Sequence, residues 1–345
     1  MTAENPSQEN QGPPAKPPVV WIDGAVLADA ARRAHPAVSL ALWAGLQAVV
    51  GAPADGMLDI APLVSGITPR RSGVVKVCGR DPVRDPALRG RIGATFADPR
   101  LPPVARVRDI FDFIPRRDGT GPEDSLARFG LGHWAGRRAS SLSRCEMRAL
   151  ELVVALSIPS PFAVMLTEPT VDMADVDREA VKTALAGAAE AGACVVVLSS
   201  SVSDAIEIAP RLHMIENGRL VRSVPSDETG ALLPGRGITL RVDADLPRVL
   251  AAQLADDPAV IGIDWDQASE HSLLSVRGND LDLLAAAVAR AVISSGAKVR
   301  SITPVAPGLD EVRAATAGLA NAAYQAAYYK AWAQAGWGPP REGQT

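Results

Sequence analysis

Residues 161–179, PFAVMLTEPTVDMADVDRE, decide how this chain is read. An apolar run, Phe162-Ala163-Val164-Met165-Leu166, drives straight into Thr167-Glu168-Pro169-Thr170. A short unbroken apolar run stopped by a Pro turn predicts a buried strand. Here it ends at a carboxylate, Glu168, and an acidic, helix-prone segment follows. Similar units recur, with a strand expected over 162–166, a helix over 175–190, a strand over 193–198 and a helix over 203–209. Alternating strands and helices predict a mostly parallel α/β sheet.

Outward from this strand lie other ordered landmarks. Val49-Val50-Gly51-Ala52-Pro53-Ala54-Asp55-Gly56-Met57-Leu58-Asp59 carries two glycines at the spacing of a phosphate-cradling loop, with a helix expected from about Leu58. Val64 to Val77 reads VSGITPRRSGVVKV, and Arg91 to Asp98 reads RIGATFAD. Leu142-Ser143-Arg144-Cys145-Glu146-Met147-Arg148 opens a helix. Val195 to Ser201 is an apolar strand ending in serines, and Ile215-Glu216-Asn217-Gly218-Arg219-Leu220-Val221 reads as a closing hairpin. In this order the segments resemble the ATP-binding-cassette (ABC) ATPases, over roughly Val19 to Pro225.

The resemblance implies a P-loop NTPase-like cassette with a helical subdomain, and it assigns positions. Gly51, Gly56, Met57, Leu58 and Asp59 fall in the Walker A loop, where Met57 replaces the Lys and Leu58 the Mg²⁺-binding Ser or Thr. Ala97 stands at the Q-loop Gln, and Thr167 at the first Walker B acid. Ser143, Arg144 and Glu146 lie in the signature, whose two glycines have become Arg144 and Cys145. Ser201 takes the place of the switch His, and the loop after residue 28 lacks the aromatic that stacks adenine in the family.

Hydrolysis in such cassettes is positioning plus charge stabilisation. Glycines at 51 and 56 would still permit the turn. Met57 cannot supply positive charge, and Asp55 and Asp59 add negative charge. A carboxylate ~6 Å from a phosphate charge costs roughly 3 kcal/mol at an effective dielectric of 20. With Leu58, Thr167 and Ala97 in the ligand positions, Mg²⁺ has almost no protein support. ATP is therefore expected to bind weakly or not at all, with Mg²⁺ absent unless a partner supplies its site. Glu168 is a surviving general base or, the plainer reading and the one favoured, a residual acid that fixes its turn. Ser201 could hydrogen-bond a γ-phosphate or simply cap the next helix. Ser143 and Arg144 could reach a partner cassette's phosphate. Equally, Ser143 and Glu146 have the spacing of a capping box. A reactive role for Cys145 at the helix start is the weaker reading.

The organisation expected is a disordered tail over 1–18, the cassette over 19–225 and a Gly/Pro-rich linker over 226–237. Residues 238–306 then read βαββαβ, the ferredoxin-like order. This resembles the C-terminal extension of ABC-2-type exporter ATPases, including its closing Pro304-Val305-Ala306-Pro307-Gly308-Leu309-Asp310-Glu311-Val312 stretch. A helix over 307–337 aligns Tyr324, Tyr328 and Trp332 on one stripe, read as internal packing in preference to partner docking. Residues 338–345 form a tail.

Composition narrows the functional classes. The chain has 345 residues and a formal net charge of −4, so no basic footprint favours nucleic acid. Three scattered cysteines and four histidines make no metal pattern. The N-terminus lacks an apolar signal core, and the uncharged stretch 37–54 fits two strands better than a membrane span. The expectation is a cytoplasmic protein, peripheral at the inner face of the cell membrane. It would be a degenerate pseudo-ATPase subunit of an export complex. It would act structurally or beside a permease or a second cassette, as a homo- or heterodimer. A working ATPase and a stand-alone regulatory protein are the alternatives.

Overall fold

The structure, a computed structural model, describes residues 17–28, 36–98, 101–102, 104–114, 121–169, 178–226, 236–243, 247–267, 271–278 and 280–305, with Leu309 and Arg313. The expected N-terminal tail to residue 16, the adenine-loop positions 29–35, the acidic segment 170–177, most of the linker and nearly all of the C-terminal helix with its aromatic stripe and tail lie outside them. The described chain divides into two compact units, the first holding the residues up to Ser226 except Ser201–Ser203, which group with the second, and the second holding the described residues beyond Ser226.

In the first unit the elements are β1 (Val20–Leu27), β2 (Val38–Leu42), β3 (Gly45–Val50), α1 (Ile60–Ser65), β4 (Arg70–Val77), α2 (Pro86–Arg89), β5 (Ile92–Ala94), α3 (Pro122–Ala127), α4 (Arg144–Leu156), β6 (Ala163–Thr167), α5 (Arg178–Glu190), β7 (Cys194–Ser199), α6 (Val202–Ile208), β8 (Arg211–Glu216) and β9 (Arg219–Pro225). They build one nine-stranded sheet in the order β4-β1-β2-β9-β8-β3-β7-β6-β5. From β8 to β5 neighbouring strands run parallel, whereas β1, β2 and β4 pair antiparallel. Every residue of β6 and β7 is buried, which accounts for their unbroken apolar sequence. Alternate residues serve opposite faces. Ala163 and Met165 join Met57, Ile60 and Leu63 on one side, and Val164 and Leu166 join Leu150, Val153, Val181 and Leu185 on the other.

Three local expectations need correction. The helix after the phosphate-loop segment begins at Ile60, not Leu58, and is preceded by short 3-10 turns at Pro53–Asp55 and Met57–Asp59. Residues 104–114, which the sequence suggests as a helix start between two Pro-rich loops, instead hold a 3-10 helix over Val107–Phe113; their Val, Ile, Phe and Asp content is a weak α-helix former. β1 runs through a bulge to Leu27, longer than the short strand that Val19-Val20-Trp21-Ile22 predicts.

The second unit runs β10 (Arg236–Asp243), α7 (Pro247–Leu254), β11 (Gly262–Gln267), β12 (His271–Gly278), α8 (Leu281–Ser295) and β13 (Val299–Val305). Its sheet order is β11-β12-β10-β13, antiparallel throughout. Leu250, Leu254, Leu284 and Val288 of the two helices close over Ile238, Leu240, Leu274 and Val276. Asp280 caps α8 by accepting from the N–H groups of Asp282 and Leu283. Among the described residues no helix is long and apolar enough to cross a membrane.

A polar trio is buried in the first sheet. His213 Nε2 lies 3.0 Å from Gln47 Oε1, and Gln47 Nε2 donates to the Trp43 carbonyl at 2.7 Å. That orientation of the Gln makes His213 Nε2 the donor. Burial, and secondarily Arg211, push the imidazole down to about 3, so the fold holds it neutral. The unfolded chain takes up a proton at its ordinary value near 6.5. Stability from this site is therefore complete above pH ~6.5 and falls with acid by about 1.4 kcal/mol per pH unit until the folded value is reached. Urea denaturation at pH 7 and pH 5 is expected to show a loss of about 2 kcal/mol from this group. His213→Gln should show a correspondingly flatter acid limb.

Candidate functional site at the carboxyl edge of the parallel strands

The candidate residues gather where β3, β5, β6 and β7 end. After β3, Gly51 lies so close to β8 that a Cβ would meet Ile215 Cγ2 at 2.3 Å. Gly56 has φ +82, a left-handed conformation that suits glycine. Between them Asp55 folds back: its Oδ2 accepts from the Ala52 N–H at 2.9 Å and its Oδ1 from the Asn217 N–H at 3.2 Å. Met57 is fully buried in the core, and Asp59 is buried too. Leu58 is half-buried and packs against the same apolar cluster. The Met57 side chain thus serves the interior.

At the end of β6, Thr167 is buried and doubly bonded to Thr95. Its N–H donates to Thr95 Oγ1 and its hydroxyl donates to the Thr95 carbonyl, each at 2.9 Å. Glu168 follows with φ +47, a strained backbone for a residue with a side chain. Its carboxylate accepts from the Ser199 hydroxyl at 3.1 Å and the Ser200 N–H at 2.8 Å. These bonds hold the turn and engage both carboxylate oxygens.

Sequence reasoning missed two side chains of α4. Arg148 donates to the carbonyls of Ala97 at 2.8 Å and Glu168 at 3.0 Å. Glu151, 4% exposed, accepts from the Phe96 N–H at 3.1 Å. Residues 96 and 97 are thereby gripped from the helix side through successive N–H and C=O groups. Arg148, Glu151, Thr95, Thr167 and Glu168 line a small, shallow cleft. The signal available was helical spacing: 148 and 151 are three apart and share a face.

The signature segment starts α4. Ser143 Oγ accepts from the Glu146 N–H at 3.2 Å and Glu146 Oε2 accepts from the Ser143 N–H at 2.7 Å, forming the expected capping box. Arg137, and then the Ser143 N–H, hold the Glu146 carboxyl down at about 2. Arg144 pairs with Asp98 at 2.6 Å, the two side chains being 67% and 82% exposed. Cys145 is exposed. Ser201 sits just before α6 with its hydroxyl 3.0 Å from that of Ser203. Among the described residues no cluster of three or more His, Cys, Asp or Glu could hold a metal.

No family model matches the chain. Relatives and solved structures do. A probable anion import ATP-binding protein of Haloferax volcanii is 28% identical over 230 residues, 59% of this chain and 77% of that protein. Among solved structures, an ATP-binding subunit of an ABC transporter has a TM-score of 0.51 at 15% identity, covering 61% of this chain and 91% of its own. An ATP-binding cassette dimer bound to ADP and phosphate has a TM-score of 0.50 at 18% identity, covering 60% and 98%. The fold is that of an ABC-transporter ATP-binding cassette, a P-loop NTPase-type α/β fold. More particularly, the daunorubicin resistance ATP-binding protein DrrA3 of Streptomyces coeruleorubidus is 25% identical over 305 residues, 85% of this chain and 94% of that protein. That alignment is too long for the first unit alone. The chain is similar to ABC transporter ATP-binding subunits, DrrA proteins included.

The Thr95–Thr167 pair has a measurable worth. Thr167→Val removes one buried hydroxyl bond and is expected to cost about 1 kcal/mol in chemical denaturation. Thr167→Asp, which restores the acid of related cassettes, should cost more, because it sets a carboxylate against the Thr95 carbonyl. An Asp variant as stable as the parent would show that this pair does not hold the strand ends.

Proposed function

We propose that the chain is the cassette subunit of a membrane export complex, and that it works as a pseudo-ATPase. It would brace a permease or complement an intact cassette at the cytoplasmic face of the membrane. The subunit assignment draws on the cassette fold and on the long DrrA match. The loss of chemistry draws above all on one observation: Met57, at the Lys position, is fully buried, while the loop beside it carries Asp55. A phosphate arriving there would meet Met57 where the resemblance expects a Lys, and the Asp55 carboxylate beside it. Roughly 3 kcal/mol is lost for each such change at ~6 Å, together more than a thousandfold in affinity.

The donor set does not fit Mg²⁺. Leu58 and Ala97 have no side-chain oxygen to offer, and Thr167 brings a neutral, buried hydroxyl where a carboxylate is expected. Hard cations of this size require several oxygens in near-octahedral array. Glu168, with its oxygens on Ser199 and Ser200, is a brace for the turn in this reading and not a base. The βαββαβ order and the β11-β12-β10-β13 sheet of the second unit support a ferredoxin-like extension, as in ABC-2-type exporter ATPases. A homodimer or a heterodimer with an intact cassette is the assembly this function requires.

Titration of MgATP into the full chain is expected to give no micromolar, Mg²⁺-dependent binding. Glu168→Gln should leave any residual turnover unchanged. Tight binding together with a large drop in turnover in that variant would restore a working ATPase.

A further inference from the structure

The carboxylate of Asp55 does more than decorate the loop. It accepts from the N–H of Ala52 at 2.9 Å and from that of Asn217 at 3.2 Å, two segments far apart in sequence. The Asp55 carbonyl accepts from the Gly218 N–H at 2.9 Å. Asn217 and Gly218, with φ +47 and +77, make the tight turn between β8 and β9. Gly218 then passes the connection on, its carbonyl accepting from the Ser39 N–H at 2.7 Å. A Cβ on Gly218 would meet the Ala37 carbonyl oxygen at 2.2 Å, and one on Gly56 would meet Pro36 and Val38. The loop, the hairpin turn and the start of β2 therefore close on one another around a single acid.

We propose that Asp55 is an internal anion that keeps this loop shut. Its carboxylate takes the Ala52 N–H that an incoming phosphate would need, ties the loop to the Asn217-Gly218 turn and repels other anions. The inference rests on the reading of Gly51–Gly56 as a degenerate phosphate loop. A carboxylate suits the task, since charge-assisted bonds to N–H groups are roughly twice as strong as neutral ones. An Ala or Ser at 55 would leave the turn open to an external acceptor. The contact is autoinhibitory: triphosphate and Asp55 compete for the same donor.

The test uses the full chain as wild type, Asp55→Asn and Asp55→Ala. Asn keeps the shape and one acceptor without the charge. Hydrogen exchange at the Ala52, Asn217 and Gly218 amides is expected to quicken tenfold or more in Asp55→Ala, with Phe96 and Ser200 unchanged. A fluorescent ATP analogue should bind Asp55→Ala at least tenfold more tightly than wild type, with Asp55→Asn between them. Should Asp55→Ala fail to fold, Asp55→Asn carries both comparisons. Unchanged exchange, or equal affinity in all chains including none in any, overturns the proposal. Tight MgATP binding by the wild type would instead overturn the degenerate-loop reading, so the two failures are distinguishable.

Discussion

The controlling constraint is that β6 and β7 are buried on both faces, with β3 buried along most of its length between β7 and β8. Such strands satisfy their backbone groups only by the ladder to their neighbours. At the carboxyl edge the ladder stops, and N–H and C=O groups are left without partners. In open α/β sheets this is where ligands bind. Here the chain answers with its own side chains. Asp55 takes the Ala52 N–H, Glu168 takes the Ser200 N–H, Glu151 takes the Phe96 N–H, and Arg148 gives to the Ala97 and Glu168 carbonyls. Thr95 and Thr167 satisfy each other. Among the described residues, these groups at the edge are bonded within the chain.

That internal bonding explains why the apolar replacements are tolerable. A Lys at 57 would have to leave the core, where Met57 fills space beside Ile60 and Leu63, or bury a charge at a cost of several kcal/mol. Met suits such a site because its flexible thioether fills irregular gaps. The same trade runs through Thr167. A carboxylate there would face the Thr95 carbonyl, while a hydroxyl donates to it. Met57 and Thr167 both serve the fold, the one by filling the core and the other by bonding Thr95.

Much of this was legible in residues, and the reasons differ by element. The strand at 163–167 announced itself because burial on two faces demands an unbroken apolar run. The capping box was legible because Ser143 and Glu146 act within one turn. The motif order across the first unit carried the cassette fold, because strands and turns such as β6 and the Asn217-Gly218 hairpin stand in the order the resemblance expects. The Asp55–Asn217 bond was not legible: its partners are 162 residues apart, and nothing local marks an acid that turns inward. Arg148 and Glu151 were hidden for a related reason, as both bond backbone groups, which carry no sequence label. The antiparallel placement of β1, β2 and β4 beside β9 likewise follows from tertiary pairing, not from any local pattern.

The N-terminus of α4 stands apart from this edge. Among the described residues Arg144 pairs with Asp98, and both side chains are largely exposed; such a pair is worth at most about 1 kcal/mol. A phosphate with two charges would draw Arg144 away from Asp98 at little cost, whereas nothing comparable could draw Met57 out of the core. The capping box does not involve Arg144: Ser143 Oγ and Glu146 Oε2 engage the N–H groups of each other, and Glu146 Oε1 accepts from Arg137. On the proposed reading, Gly51–Asp59 would serve the fold, while the start of α4 keeps an exposed cation, Arg144, as would suit a subunit that completes a partner's site.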